Sequence, residues 1–462
     1  MKKILLMLFL AAFCVQGIFA NPVSEKTAEK VAINFFSYLT KVRYNGDHIT
    51  RCITGKYNNR DAYYIFHFDT KGFVIVSADD AVIPVLGYSF EGQPEDAQIP
   101  AALTEFLEAY SLQIDKAAGL KKVNEEAAKE WKNFLNNNMP KDIAPLQGLI
   151  ATKWGQVYPY NKFCPYDTES IYNNRCPAGC TPVAMAQVMK YHEWPEDHGQ
   201  GTSSYTHPEY GYLYVNHSTT LHWDLMPTVL TPAYPSTYVN PVATLIYHCG
   251  VSGHTSYSPT GSGMYLSAAA NAMEDHYYYE DCACIYRNST PYSQWKSIIK
   301  SELDDYKPLI YAGGSHAFVV DGYKDGKDTR FHINWGWSGA YDGWFILNDL
   351  TPGSYNFNAS QKYVTYSLGS TKSNSMNISD NISLSGNLNL YPNPNTGIFR
   401  INIPDDSGVY NINIMDITGK TVYLQSDISG TTTIDLSDMV PGIYMVKVYN
   451  DTEFEIRKII IQ

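Results

Sequence analysis

The stretch CPAGCTPVAMAQVMKYH, residues 176–192, decides the fold of the middle of the chain. Thr181 followed by Pro182 is typical of a helix start, with threonine as the N-cap and proline at the first helical position. The turns that follow carry an apolar face of four residues: Val183, Met185, Ala186 and Met189. Cys180 is therefore expected at the N-terminal end of a buried helix, after a glycine that keeps the approach to it narrow.

The predicted position of Cys180 favours a reactive thiol. Backbone N–H groups and the helix dipole favour an anion there, so the thiol pKa should fall and the thiolate should be populated. Gly179, the residue before the cysteine, is expected to border the substrate. Judged from this context alone, an inert thiol or a structural disulfide explains Cys180 equally well.

A thiolate that attacks a carbonyl group also needs a base that accepts a proton and returns it. The chain has twelve histidines, so the surroundings of each must decide. His316 follows the small residues AGGS, 312–315, and precedes the apolar run AFVV, 317–320. These neighbours place it where a loop enters a strand, on a rigid support with an open approach. Gly314 and Ser315 in that loop are expected to contact the substrate.

A second strand, RFHINW at residues 330–335, follows a turn that contains Asp-Gly at 325–326. If that pair forms a two-residue hairpin turn, residues whose numbers sum to 651 face each other. His316 then lies opposite Trp335, with Asn334 one step away. A one-residue bulge would exchange these neighbours, so either side chain could hold or shield the imidazole.

Gln156, in the triplet WGQ at 154–156, is a candidate oxyanion donor. A glutamine side-chain amide beside the backbone N–H of the cysteine can stabilise the tetrahedral oxyanion of acyl transfer. Considered by itself, a single glutamine is more often an exposed polar residue.

The N-terminus is typical of a secretory signal, residues 1–20. Lys2 and Lys3 precede a short apolar run at 4–15, and a small residue, Ala20, ends the segment. No later apolar stretch approaches the roughly 20 residues that a membrane helix needs, so no transmembrane segment is expected. The net charge of −12 disfavours a nucleic-acid partner, which calls for a basic stripe. Of the eight cysteines, Cys14 belongs to the signal, and the odd number that remains leaves at least one outside any internal disulfide.

The 462 residues predict more than one domain. Residues 21–143 combine helical periodicity at 24–39, 101–118 and 125–135 with strand-like runs at 62–68 and 72–77, an α+β pattern that ends in an exposed loop at 136–140. Residues 144–369 hold the candidate chemistry. A polar linker is expected at 370–386. Residues 387–462 alternate apolar and polar positions in short bursts, as a small all-β sandwich would.

The middle of the chain resembles the streptopain family of papain-clan cysteine endopeptidases, in the family's order, over about residues 145–368. The resemblance rests on seven stretches: WGQ (154–156), PYN (159–161), GC (179–180), AMAQVMKYHEWP (184–195), HAFVVDG (316–322), NWGW (334–337) and DGWF (342–345). It implies a papain-like catalytic domain with a helical part that carries the cysteine and a β-rich part that carries the histidine. It further implies Cys180 as nucleophile, His316 as base, Gln156 as oxyanion donor, and Asn334 with Trp335 as support behind the histidine.

The flanking segments carry resemblances of their own. GFVIVSADD (72–80) and VLGYS (85–89) are similar to the same family's pro-region, which implies an inhibitor that blocks the active site until proteolysis removes it. LYPNPNTG (390–397), DITG (416–419) and PGIY (441–444) resemble the sorting domains of the type IX secretion system. These imply contact with the secretion machinery, passage across the outer membrane, and a product that is secreted or attached to the cell surface.

The interpretation is a secreted endopeptidase that is made as a zymogen, acts on proteins or peptides and needs no cofactor or metal. Cys282 and Cys284 could bind a metal, but no paired Cys or His at zinc spacing accompanies them. Two other functions remain open: another papain-fold thiol amidase, such as a glutaminase or transglutaminase, and a non-catalytic surface binding protein. A pro-domain and export favour the peptidase, and thiol alkylation with loss of activity would exclude the binding protein.

Overall fold

The structure is a computed structural model, and it describes residues 21–90, 98–120, 124–139, 148–325, 329–347, 361–369, 389–393, 395–403, 409–416, 421–450 and 454–461. The chain divides into two compact units, Met1–Thr371 and Lys372–Gln462. The predicted signal (1–20), the predicted linker (370–386) and the predicted domain boundary near residue 143 lie outside the described residues.

The described helices all belong to the first unit: α1 Glu25–Thr40, α2 Ala101–Gly119, α3 Glu125–Leu135, α4 Cys180–His192, α5 Ser236–Ser252, α6 Leu266–Tyr277 and α7 Tyr292–Asp304. None of them is both long enough and apolar enough to cross a membrane. The strands of the first unit are β1 Ile49–Tyr57, β2 Arg60–Phe68, β3 Phe73–Ser77, β4 Val85–Ser89, β5 Thr202–His207, β6 Gly211–Asn216, β7 Tyr279–Tyr286, β8 Leu309–Gly313, β9 His316–Lys324, β10 Arg330–Asn334, β11 Gly343–Phe345 and β12 Lys362–Leu368. Those of the second unit are β13 Asn389–Tyr391, β14 Ile398–Asn402, β15 Tyr410–Asp416, β16 Thr421–Ile428, β17 Thr431–Asp435, β18 Gly442–Tyr449 and β19 Phe454–Ile461.

Helix α1 forms where the 3.6-residue periodicity predicts it. Ser24 is the N-cap, and its hydroxyl accepts a hydrogen bond from the Thr27 backbone N–H at 3.3 Å. The buried face consists of Ala28, Val31, Ala32, Phe35, Phe36 and Leu39. Phe36 stacks on Phe68 of β2 with ring centroids 4.0 Å apart, so this face packs on the sheet.

One ten-stranded sheet runs through the first unit in the order β1-β2-β3-β4-β11-β10-β9-β8-β12-β7. The strands of the N-terminal segment join those of the middle segment where β4 pairs antiparallel with β11, Trp344 opposite Tyr88 and Phe345 opposite Gly87. A Cβ at residue 87 would lie 2.7 Å from the Phe345 ring, so only glycine permits this close approach. The α+β prediction is confirmed, and the two segments share one sheet and one core.

Helix α2 of the N-terminal segment is also anchored on the middle segment. Phe106 packs edge-on against Trp335 at 5.6 Å between ring centroids. The Tyr110 hydroxyl donates to the Ile346 carbonyl at 2.5 Å and accepts from the Ile346 N–H at 3.1 Å. Both residues are on the same side of α2, which therefore lies against the strands that follow β10.

Asp321 fixes the first described residues after the predicted processing segment. Its backbone carbonyl accepts from Leu149 N at 2.9 Å, and its side chain accepts from Ile150 N at 2.8 Å. The other carboxylate oxygen lies 2.6 Å from His332 Nδ1 inside the core. A Cβ at Gly148 would lie 2.3 Å from Asp321 Oδ2, so glycine is required there. The start of the middle segment is thus held independently of the chain that precedes it.

The second unit consists of a three-stranded sheet, β13-β14-β17, and a four-stranded sheet, β16-β15-β18-β19. Inward side chains from both sheets form one core, among them Phe399, Ile401, Ile412, Ile434 and Val446. The predicted alternating runs coincide with β14, β15 and β18, and the prediction of a small β-sandwich is confirmed.

Candidate active site

Helix α4 begins at Cys180 itself, so the prediction that Thr181 is the N-cap is wrong. Gly179 occupies the cap position with φ 94°, a backbone conformation that glycine alone adopts easily. The Thr181 hydroxyl instead donates to the Met264 carbonyl at 2.9 Å. Pro182 falls in the first turn, where an N–H has no partner within the helix and its loss costs nothing. Cys180 is therefore closer to the positive end of the helix dipole than predicted.

His316 is the first residue of β9, as its sequence context predicts. A two-residue turn, Gly314 and Ser315, joins β8 to β9, with Gly313 paired to His316. Gly314 has φ 63°, which favours glycine at this turn. The Ala317 backbone N–H donates to Cys180 Sγ at 3.3 Å. This contact brings the start of β9 directly onto the start of α4.

The two side chains shift each other's pKa toward the charged forms. Burial alone would raise the pKa of Cys180, but the hydrogen bond to His316, the N–H of Ala317 and the charge of His316 lower it below the ordinary value of 9.0. The hydrogen bond to Cys180 raises the pKa of His316 above 6.5 despite burial, and the charges of Cys180 and Glu105 add to the rise. The arrangement therefore favours a thiolate–imidazolium pair.

Gln156 lies in the same cleft as this pair and is buried. Its backbone carbonyl accepts from the Ala178 N–H at 2.8 Å, which ties the WGQ segment to the turn before Cys180. The same segment is also tied to α4, because the backbone N–H of Trp154 donates to Gln187 Oε1 at 3.0 Å. The structure thus places Gln156 in the wall of the cleft that also contains Cys180.

β9 and β10 pair antiparallel, as predicted, but not in the register that a two-residue turn at 325–326 would give. Arg330 faces Lys324, and a register shift after His332 leaves Asn334 opposite Val319. These pairs have numbers that sum to 654 and 653 and not to 651, because the connection is longer than a two-residue turn. Within the described part of the chain, neither Asn334 nor Trp335 is hydrogen-bonded to His316.

Asn334 and Trp335 contact the helix that begins at Cys180 and the strand that begins at His316, respectively. Asn334 exchanges hydrogen bonds with the Gln187 side chain of α4 at 3.1 and 3.2 Å and donates to the Thr152 carbonyl at 2.7 Å. Trp335 packs on Phe318 of β9 with ring centroids 5.0 Å apart. Gln187, fully buried between the apolar residues Ala186 and Val188 of α4, was not predicted, although a polar residue at that position signals a buried partner.

Glu105 of α2 lies beside His316, a neighbour that the sequence did not indicate. Glu105 Oε2 lies 3.6 Å from His316 Nε2. The same carboxylate accepts from the Ser315 backbone N–H at 3.0 Å and from the Ser315 hydroxyl at 2.6 Å. The N-terminal segment therefore holds the turn that carries the histidine, at the residues expected to contact substrate.

The cleft around Cys180 and His316 has a volume of about 680 Å³. One wall consists of the loop at 260–265 and the first residue of α6, Leu266, and the other contains Ala312, Ala317 and Lys362. Gly314, Ser315 and Ala101 of α2 also border it. Gly179, which precedes Cys180, does not itself line the cleft, and a Cβ on it would approach the Ser262 carbonyl oxygen to 3.0 Å.

Comparison with known proteins places each segment. Residues 154–345 match the Peptidase C10 family, residues 20–114 the Spi protease inhibitor family, and residues 389–462 the secretion system C-terminal sorting domain. Thiol protease/hemagglutinin PrtT of Porphyromonas gingivalis is 30% identical over 376 residues, which cover 77% of this chain. The match spans only 42% of PrtT.

Two further relatives match over most of their own length. Streptopain of Streptococcus pyogenes is 27% identical over 371 residues, 72% of this chain and 89% of streptopain. A solved prointerpain A fragment of Prevotella intermedia is 30% identical with a TM-score of 0.56, and the match covers 68% of this chain and 98% of the fragment. The chain therefore belongs to the peptidase C10 family, the streptopain family of cysteine peptidases, and carries an inhibitor-type pro-region before its peptidase domain and a secretion sorting domain after it.

Proposed function

We propose that the mature protein is an exported endopeptidase in which Cys180 is the nucleophile and His316 the acid and base. The observation that carries the proposal is that the start of β9 meets the start of α4 in the cleft that both residues line, with Cys180 Sγ 3.3 Å from the backbone N of Ala317, the residue after His316. The opposite pKa shifts of the thiol and the imidazole support it, because thiolate is the nucleophilic form.

The chemistry follows from these positions. The Cys180 thiolate attacks the carbonyl carbon of the scissile bond, and the Cys180 N–H with the Gln156 amide stabilises the negative oxygen of the tetrahedral intermediate. His316 donates its proton to the leaving amine as the C–N bond breaks, which leaves a thioester on Cys180. A water then loses a proton to His316 and attacks the thioester, releasing the acid and restoring the thiolate–imidazolium pair.

In the precursor, we propose that the pro-region keeps the site latent through Glu105. Its carboxylate occupies the Ser315 N–H and hydroxyl and lies beside His316 Nε2, so the turn is held and part of the substrate position is filled. Residues 98–101 of the same segment run beside Trp337 and Tyr172 at the cleft. The expected cut is in the segment 136–147, and Asp321 keeps residues 149–150 in place after it.

The family match of the C-terminal unit supports the proposal that the protein is exported. A sorting domain at residues 389–462 is consistent with export through a type IX system, followed by release or attachment at the surface. The proposed substrates are proteins or peptides that meet the enzyme there.

The test of the proposed activity is hydrolysis of a fluorescently labelled denatured protein by the mature protein across pH. Thiolate is present above the lowered pKa of Cys180, and imidazolium is present below the raised pKa of His316. Activity should therefore depend on pH as a bell-shaped curve. The midpoint of its acid limb reports the pKa of Cys180 and should lie below 9.0. The midpoint of its alkaline limb reports the pKa of His316 and should lie above 6.5. A profile that only rises toward pH 9 would contradict the ion pair.

Replacing Gln156 with alanine is expected to lower kcat on the order of 10²-fold while KM changes little, because an oxyanion donor acts mainly in the transition state. Initial rates on one peptide substrate measure both constants. Gln200→Ala, at an exposed glutamine outside the cleft, is the control and should behave as wild type. If KM rises and kcat holds, Gln156 binds substrate and is not an oxyanion donor.

A further inference from the structure

One row of side chains leads from the catalytic cysteine along the wall of the cleft. Ala317, whose N–H contacts Cys180 Sγ, pairs with Ala312 of β8, Ala312 pairs with Lys362 of β12, and Lys362 pairs with Tyr286 of β7. Directly opposed residues in a sheet project from the same face. Two strand spacings place the Lys362 backbone about 10 Å from that of Ala317.

The two alanines leave this wall open. Both have buried methyl groups that line the cleft, and Met264 lies on the facing loop. A substrate side chain that enters between the alanines and Met264 therefore extends toward the Lys362 ammonium group. The lysine itself is half-buried, with Nζ 5.6 Å from the centre of the Tyr286 ring, a cation–π contact that holds the ammonium at the end of the row.

Lys362 gives this part of the cleft its charge. Among the described residues that line the cleft it is the one lysine, and no arginine, aspartate or glutamate accompanies it. Nor does any carboxylate of the described chain lie within 4.0 Å of its Nζ. The ammonium is therefore available to a substrate carboxylate.

We propose that Lys362 is a specificity-determining residue, which makes the enzyme prefer a glutamate or aspartate at the substrate position that lies between Ala312, Ala317 and Met264. The inference rests on the proposed peptidase function and adds the substrate class. A half-exposed pair of charges of this kind corresponds to a preference of about threefold to fivefold. The preference should weaken as salt screens the charges.

The experiment compares peptides that are identical except for Glu or Gln at one position, tested at each of four positions before the cut. Mature wild-type enzyme should show higher kcat/KM for Glu at one of these positions, by about threefold to fivefold at low salt. Lys362→Met, which keeps the length of the side chain, should remove the preference, and Lys362→Glu should reverse it. Lys296→Met removes the same charge from α7, outside the cleft, and should keep the wild-type preference.

Turnover of the Gln peptides shows whether each variant retains its fold and chemistry, and the ratio of kcat/KM for Glu over Gln, taken on the same variant, isolates the effect of the charge at residue 362. The salt dependence of the wild-type preference provides a test that needs no variant. Equal rates on Glu and Gln peptides at all four positions, or a preference that Lys362→Met retains, would overturn this inference and leave the peptidase function standing. A mature protein that cleaves neither these peptides nor any denatured protein would overturn both this inference and the proposed peptidase function.

Discussion

Cys180→Ala is expected to lower kcat on denatured protein by about 10⁴-fold or more. Without the sulfur no thioester can form, and the oxyanion donors and the cleft provide only residual rate enhancement. Steady-state hydrolysis by protein whose pro-region has been removed by added wild-type enzyme measures the loss. Because Cys180 is half-buried at the start of α4, the alanine should disturb the fold little.

Cys282→Ala is the matched control, since this thiol is also partly buried in the same unit but lies on β7, outside the cleft. Its rate should equal that of wild type. Substantial turnover by Cys180→Ala would mean that another group attacks the substrate.

The second large effect is expected on maturation. The intact precursor should be inactive, and a cut in the segment 136–147 should raise activity on the order of 10²-fold or more, because it converts a tethered inhibitor into one that diffuses away. Precursor that carries Cys180→Ala should keep its N-terminal segment on prolonged incubation. A trace of active wild-type enzyme should then process it in trans. A gel time course with N-terminal sequencing of the product measures both steps.

A substitution of Glu105 separates the inhibitory contact of the pro-region from its proteolytic removal. Glu105→Ala should shorten the lag before activity appears, because Ser315 and His316 lose the carboxylate that holds them. Glu108→Ala removes the same charge one turn along α2 and should keep the wild-type lag. Cys180→Ala precursor that matures without added enzyme, or wild-type precursor that is fully active from the start, would show that the proposed latency is wrong.

The parts of the structure that depend on local pattern could be predicted. The helix over 125–135 has the predicted bounds, and α1 and α2 differ from theirs by a residue or so. Apolar faces with a 3.6-residue period and capping residues near their ends determine such elements. The location of Cys180 at a helix start and of His316 at a strand start follows from the same kind of signal.

The features that could not be predicted from the sequence depend on contacts between segments that are distant along the chain. The register of β9 with β10 depends on the length of the connection, which the Asp-Gly pair suggested to be shorter than it is. Glu105 is one acidic residue on an amphipathic helix, and only the docking of α2 brings it to Ser315. The pairing of β4 with β11 likewise joins residues far apart in sequence. Such long-range pairings leave little trace in any local window.

The central claim is that one cysteine of this chain is a thiolate poised for attack. The other described cysteines are expected to resist alkylation near pH 6. Burial raises the pKa of Cys52 to about 11 and that of Cys282 to about 12. Burial also raises the pKa of the remaining four: Cys164, Cys176, Cys249 and Cys284. Only for Cys180 is the pKa lowered among the described cysteines.

The most direct measurement is therefore brief treatment of the mature protein with iodoacetamide at pH 6, followed by mass spectrometry of its peptides and assay of the same samples. The result expected is one carbamidomethyl group, on Cys180, that accumulates in proportion to the loss of activity. Full labelling of Cys180 with activity retained, or loss of activity that follows a label on another cysteine, would contradict the account.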